Sequence, residues 1–144
     1  RRRRERFIRD SNYRGPGTYR YVGGHTQSHS YTELTEGYSD HWQWMLNVAK
    51  VPYFIPITAG WDRRPWGGSL DPKHDQSRPS NAQFREHLYS AQQFIQEYKS
   101  QTHGVGVICC WNEFGEGSFI EPTTVGGFGL LKQVQKVFST NTTQ

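Results

Sequence analysis

Much of what would name a chemistry outright is missing from this sequence. It has two cysteines in 144 residues, and they are neighbours, Cys109 and Cys110, inside an apolar run. Adjacent residues on a strand point to opposite faces, so the pair reads as two small core residues that do not bond to each other. No disulfide framework and no zinc-ligand spacing follows. No segment approaches the ~20 apolar residues that span a bilayer, and the start lacks the apolar stretch of a signal peptide. No GxGxxG follows the first expected strand: GPGTYRYVGG has neither the spacing nor a helix after it, which removes the dinucleotide fingerprint. No nucleophile elbow offers a serine for a Ser/His/Asp triad. Apolar residues make up only 33% and the mean hydropathy is −0.85, little for a self-sufficient core.

Net charge is scarce too, once its position is noted. The first ten residues, RRRRERFIRD, carry the whole net charge of +4 and the remainder is neutral. Such a run can attract phosphates. No RNA-binding or helix-turn-helix signature accompanies it, so nucleic acid is not an expected partner and the run reads as a solvated helix end. Aromatic residues, by contrast, are plentiful, with 5 Trp, 8 Tyr and 8 Phe. They bury large areas and also stack on sugar rings.

The chain divides into a basic start with a strand and loop over residues 1–30, a main part over 31–138, and a frayed tail over 139–144. Thr18–Val22 has the β-branched and aromatic bias of a strand. A helix is expected from Tyr31 to about residue 50, capped by Ser39 or Asp40, with Trp42, Met45, Leu46 and Ala49 at helical spacing. Val51–Ala59 reads as a strand buried on both faces, although Pro52 and Pro56 cannot donate to a ladder. A long loop follows over 60–80, a length that usually signals function or disorder. A clear helix is then expected from Asn81 to about residue 101, capped by Ser80 or Asn81, with Phe84, Leu88, Ala91, Ile95 and Tyr98 in one stripe. Gly104–Cys110 is a short strand, 111–124 a loop, and Phe128–Phe138 a last helix with Leu130, Leu131, Val134, Val137 and Phe138 inward.

Strand, loop and helix thus recur three times, which argues an α/β fold with a parallel sheet. The expected architecture is the C-terminal portion of a (β/α)8 TIM-type barrel. A whole barrel takes about 250 residues, so this chain supplies only its last units, and the rest of the barrel or another copy is needed to pair its strand edges.

Two clusters stand at the carboxyl ends of buried strands, where barrel enzymes place their chemistry. In Trp111-Asn112-Glu113-Phe114-Gly115-Glu116-Gly117 two glutamates lie three apart. Glycoside hydrolysis needs one protonated and one ionised carboxyl, and two close carboxylates push one pKa up toward the acid role. Asn112 suits a sugar hydroxyl, and Trp111 and Phe114 suit a ring face. The competing reading makes both glutamates solvated loop charges. The second cluster, Trp61-Asp62-Arg63-Arg64-Pro65-Trp66, resembles a sugar subsite, with a salt-bridged loop as its alternative. Tyr19, Tyr21 and His25 end the first strand and join the same rim as weaker candidates. Glu121 lies five beyond Glu116. His25 and His29, like Asp71 and Asp75, are four apart but not on an expected helix, so they are not read as metal ligands. No metal and no cofactor is expected.

At these residues the sequence resembles a known group. WNEFGEGSFIEP is similar to the Asn-Glu-Trp-x-Glu-Gly…Glu-Pro signature of glycoside hydrolase family 99 and the related WbsX-like proteins. ITAGWDRRPW is similar to their Gly-Trp-Asp-x-x-Pro segment, and the resemblance runs from about Tyr31 to Phe138. It implies a (β/α)8 barrel acting without a metal on α-linked, mannan-like glycans. Hydrolysis would be retaining, with the substrate's own 2-hydroxyl as nucleophile. Glu113 would then assist that hydroxyl and Glu116 would be the general acid/base, with Trp61, Asp62, Arg64, Trp66, Trp111 and Asn112 binding sugar. Phe114 and Gly115 depart from the family pattern. Since WbsX-like proteins also carry the label of glycosyltransferase, two alternatives stand beside the glycosidase: a transferase of polysaccharide assembly and a non-catalytic glycan-binding protein.

Overall fold

The computed structural model describes residues 24–139. The arginine run, the expected strand Thr18–Val22 with Tyr19 and Tyr21, and the end of the tail lie outside the described residues.

Helix α1 spans Tyr31–Val48 and is capped by Ser30, whose hydroxyl accepts from the Glu33 N–H at 3.2 Å. The expected caps lie inside the helix: Ser39 turns its hydroxyl back to the Thr35 carbonyl, 3.1 Å away. Tyr31, Leu34, Tyr38 and Trp42 form the buried stripe, so the apolar face begins about four turns before Met45 and Leu46. Strand β1 is short, Ile55–Thr58, and Pro52 precedes it. Helix α2, Asn81–Glu97, begins in a capping box of Ser80 with Gln83, which satisfies two otherwise orphaned N–H groups. Its stripe Phe84, Leu88, Ala91 and Ile95 is buried as expected. A single turn, α3, follows at Lys99–Thr102, then β2 at Gly106–Cys109 and α4 at Gly129–Phe138. Phe138 is exposed, contrary to expectation, whereas Gln133 and Val137 are buried.

Strands β1 and β2 pair in parallel, Ile55 with Gly106 through Thr58 with Cys109. The chain crosses between them through α2, the βαβ connection that the alternating pattern anticipates. Ile57 lies in the core with Ile95 and Val137, and Ile108 and Val134 pack against it. On the other face of β2, Val107 is 49% exposed.

The side of β1 turned away from β2 explains how Pro56 is tolerated. Because the Ala59 N–H reaches the Cys109 carbonyl at 3.0 Å, the polar groups of Pro56 and Thr58 point the other way, where a missing proline N–H interrupts no β1–β2 bond. Helix side chains occupy that edge. Trp42 Nε1 donates to the Pro56 carbonyl at 2.8 Å, the Tyr31 hydroxyl to the Thr58 carbonyl at 2.8 Å, and the Thr58 N–H to His87 Nε2 at 3.3 Å. The described residues are therefore a mixed α/β unit with one parallel strand pair; a barrel does not close within them.

The cysteines are a second correction. Their peptide bond is cis, their Cα atoms lie 2.9 Å apart, and the structure pairs their sulfurs. Strand β2 ends at Cys109, so the alternation of faces that would separate the two thiols does not extend across that bond. No helix among the described residues is long and apolar enough to cross a membrane.

Candidate functional site

Both candidate clusters hang from the carboxyl ends of the paired strands. The Asn112–Glu116 segment, expected as open loop, is the first half of a small hairpin. Asn112–Glu113 (β3) pairs antiparallel with Ser118–Phe119 (β4), Asn112 opposite Phe119, and Phe114–Glu116 forms a 3-10 turn at the tip. The Ser118 hydroxyl donates to the Cys109 carbonyl at 3.0 Å and fastens the hairpin to the end of β2. Two-residue strands are too short to show alternation, which is why the sequence reads as loop.

The second loop is larger and more heavily stitched. Asp75, expected to do nothing in particular, is its centre. It is 3% exposed, and its carboxylate accepts from the Arg63 N–H at 2.9 Å, the Ser69 N–H at 2.9 Å and the Ser69 hydroxyl at 2.6 Å. Ser69 in turn accepts from Trp61 Nε1 at 2.9 Å, and Trp61 stacks on His74 with centroids 5.2 Å apart. The Trp61 N–H closes onto the Ser77 carbonyl at 2.9 Å. The 60–80 segment is thus a built loop. Its organising residue is invisible in local patterns because its partners lie up to twelve residues away.

The two loops touch. The Asp62 N–H donates to the Glu116 carbonyl at 2.7 Å. A side chain at Gly117 would meet Asp62 Cβ at 2.6 Å, and Gly117 adopts φ +64, a conformation that glycine accepts at little cost. A Cβ at Gly115 would fall inside the indole of Trp66. Gly115, one of the departures from the family pattern, is therefore the floor on which Trp66 lies. Trp66 remains 57% exposed and Trp111 51%, broad apolar faces on the same rim.

The charges differ sharply between the loops. Asp62 accepts Arg64 Nε at 2.8 Å and Nη2 at 2.5 Å. That hydrogen-bonded guanidinium holds the Asp62 carboxyl below its usual range, against the opposing effect of burial. Burial alone would raise Asp75, but its bonds from Ser69 and Arg63 keep it low. Glu113 and Glu116 are both half-buried. Glu116 is pushed above its ordinary value by burial first and by the negative charge of Glu113 second, while Arg63 opposes. Asn112 is exposed beside them.

Of the weaker candidates, Tyr21 lies outside the described residues. His25 stacks on His29 with centroids 3.6 Å apart and faces Glu33 at 3.6 Å, at the start of α1. His29 pairs with Asp71 at 2.7 Å. Among the described residues no three His, Cys, Asp or Glu side chains gather as a metal site would require.

A mixed α/β unit thus joins two aromatic, carboxylate-bearing loops at the ends of its parallel strands. The profile of the family described as Glycosyltransferase WbsX matches residues 7–134, and the chain belongs to that family. The match takes in both motif segments and reaches well ahead of them. Comparison with curated proteins and with solved structures finds no match.

Proposed function

We propose that the chain carries the catalytic rim of a glycan-active enzyme, a retaining glycosidase for α-linked, mannan-like glycans of the kind grouped in glycoside hydrolase family 99. In this reading the two β/α units are the closing part of a (β/α)8 barrel. The observation that carries the proposal is the state of Glu116: a half-buried carboxyl, raised above its ordinary value beside Glu113, on a hairpin bonded to a second aromatic loop. A carboxyl held toward its protonated form suits a general acid.

Glu116 donates its proton to the departing glycosidic oxygen. Glu113 takes the proton of the sugar's 2-hydroxyl as that oxygen attacks C1 and displaces the leaving group. In the second step water opens the resulting ring, delivering one proton to Glu116 while the 2-oxygen recovers its own from Glu113. The configuration is thereby retained. Trp61, Trp66 and Trp111 offer ring faces, Asn112 offers polar contacts to sugar hydroxyls, and the Asp62–Arg64 pair offers its exposed guanidinium edge.

The family's description favours a second reading, glycosyl transfer in polysaccharide assembly, in which the same acid and base serve an activated sugar. Release of reducing sugar from α-mannans and other polysaccharides separates the readings, with the wild type set against Glu113→Gln and Glu116→Gln. The glycosidase releases sugar and both variants lose it while still binding glycan. Transfer from an activated sugar without hydrolysis would replace the glycosidase by the transferase. Glycan binding with no turnover in all three proteins would leave a binding module.

A further inference from the structure

Three arginines stand on the candidate rim, and their situations differ. Arg64 is bonded to Asp62 through two of its nitrogens. Arg63 is exposed, and its charge reaches Glu116. Arg78 is half-buried, with its guanidinium carbon 3.9 Å above the centre of the Phe119 ring. No carboxylate among the described residues forms an ion pair with it. Burial lowers its pKa, with the charge of Asp62 working in the other direction.

Its position is set by the two loops. Arg78 follows Ser77, whose carbonyl receives the Trp61 N–H. The ring beneath it belongs to the hairpin residue opposite Asn112 and lies 4.6 Å from Phe114. Arg78 therefore spans the seam between the loop of Asp62 and the hairpin of Glu113 and Glu116. A partly desolvated cation without an acceptor is costly. Stacking on an aromatic face fixes the guanidinium plane and leaves its edge N–H groups free. That planar fork matches carboxylate or phosphate oxygens two at a time.

We propose that Arg78 is an anion-binding subsite of this rim, so that the sugar ligand carries a negative group: a ring carboxylate, or the diphosphate of an activated sugar. The inference rests on the glycan reading above and narrows it to charged ligands. The neutral hydroxyls of a plain mannan would leave the fork unmatched.

The test is binding of the full chain to an array that pairs uronate-containing and phosphorylated glycans with their neutral counterparts, alongside GDP-mannose and UDP-glucose set against mannose and glucose. The expected result is at least ~10-fold tighter binding of one anionic class over its neutral partner, weakened by added salt. In Arg78→Met the preference disappears while neutral affinity stays. Arg78→Lys, which keeps the charge and loses the fork, falls between, and a matched thermal midpoint for both variants excludes a folding loss. Preference for uronates places the charge on the glycan; preference for the nucleotide sugars places it on a donor. Equal binding of charged and neutral partners, or a preference unchanged in Arg78→Met, overturns the subsite and leaves the glycan reading standing. Binding of no sugar at all overturns both.

Discussion

Asp62 and Asp75 hang on one strand-end loop, Glu113 and Glu116 on the other, and the protein treats the two pairs in opposite ways. The aspartates are surrounded by donors: Asp75 accepts from Arg63 and Ser69, Asp62 from Arg64, and both carboxyls are held low. The glutamates lie in a hairpin that the Asp62 N–H and the Ser118 hydroxyl fasten through backbone carbonyls. Glu116 is held high. A carboxylate wrapped in donors is committed to holding shape. One that is partly desolvated beside a like charge is poised to exchange a proton. On the proposed reading, the aspartate loop is the frame and the glutamate hairpin the working part.

The contrast can be broken at its strongest point first. Glu116→Gln should lower turnover by ~10³-fold, the scale of a lost general acid, and leave the thermal midpoint nearly unchanged. Kinetics and a melting curve on one preparation check both halves. Asp75→Ala should do the reverse. It strands two backbone N–H groups and a hydroxyl in a buried place, a loss of about 3 kcal/mol, visible as a lower urea midpoint.

A third outcome uses acid. His87 is buried against Trp42, Tyr31 and Tyr38, and burial lowers its pKa from 6.5 to about 3. Its folded pKa is below the unfolded one, so its contribution is complete above pH 6.5 and drains away as pH falls toward about 3. Between pH 7 and 5 this amounts to about 2 kcal/mol. Asp62 and Asp75, also held low, add to the loss at still lower pH. Urea unfolding across that range measures it, and His87→Phe should reduce the slope above pH 5 to the part left by His41 and His74, whose pKa values burial also lowers. The smallest effect belongs to the hairpin. As the proposed general acid Glu116 must be protonated to act, so activity is expected to fall as pH rises through its raised pKa. Arg63 opposes that rise, and Arg63→Gln should therefore move the alkaline limb upward, by less than about one pH unit. Stability lost toward acid and activity lost toward alkali would separate frame from working part in one buffer series.

Legibility in the sequence followed range. Helix α2 was readable because its cap and stripe are local, Ser80 to Gln83 and Phe84 to Ile95. The start of α1 at Tyr31 is legible, but its cap is not, because Ser39 and Asp40 offer the same local chemistry as Ser30, whose hydroxyl takes the Glu33 N–H. Both site clusters were visible as motifs, but their union was not: the Asp62–Glu116 bond and the fit of Trp66 on Gly115 join segments about fifty residues apart. Asp75 and Arg78 carried no local signal at all, since their roles are defined by Ser69, Arg63 and Phe119 in the folded chain.

The central claim is that Glu116 is the carboxyl kept ready to give up a proton, and a site-resolved carboxyl titration by NMR tests it most directly. Glu116 is predicted to titrate above its ordinary 4.5 and Asp62 below its ordinary 3.8, with the Glu116 value falling toward normal in Glu113→Gln. A Glu116 midpoint at or below 4.5, unmoved by that substitution, would contradict the account.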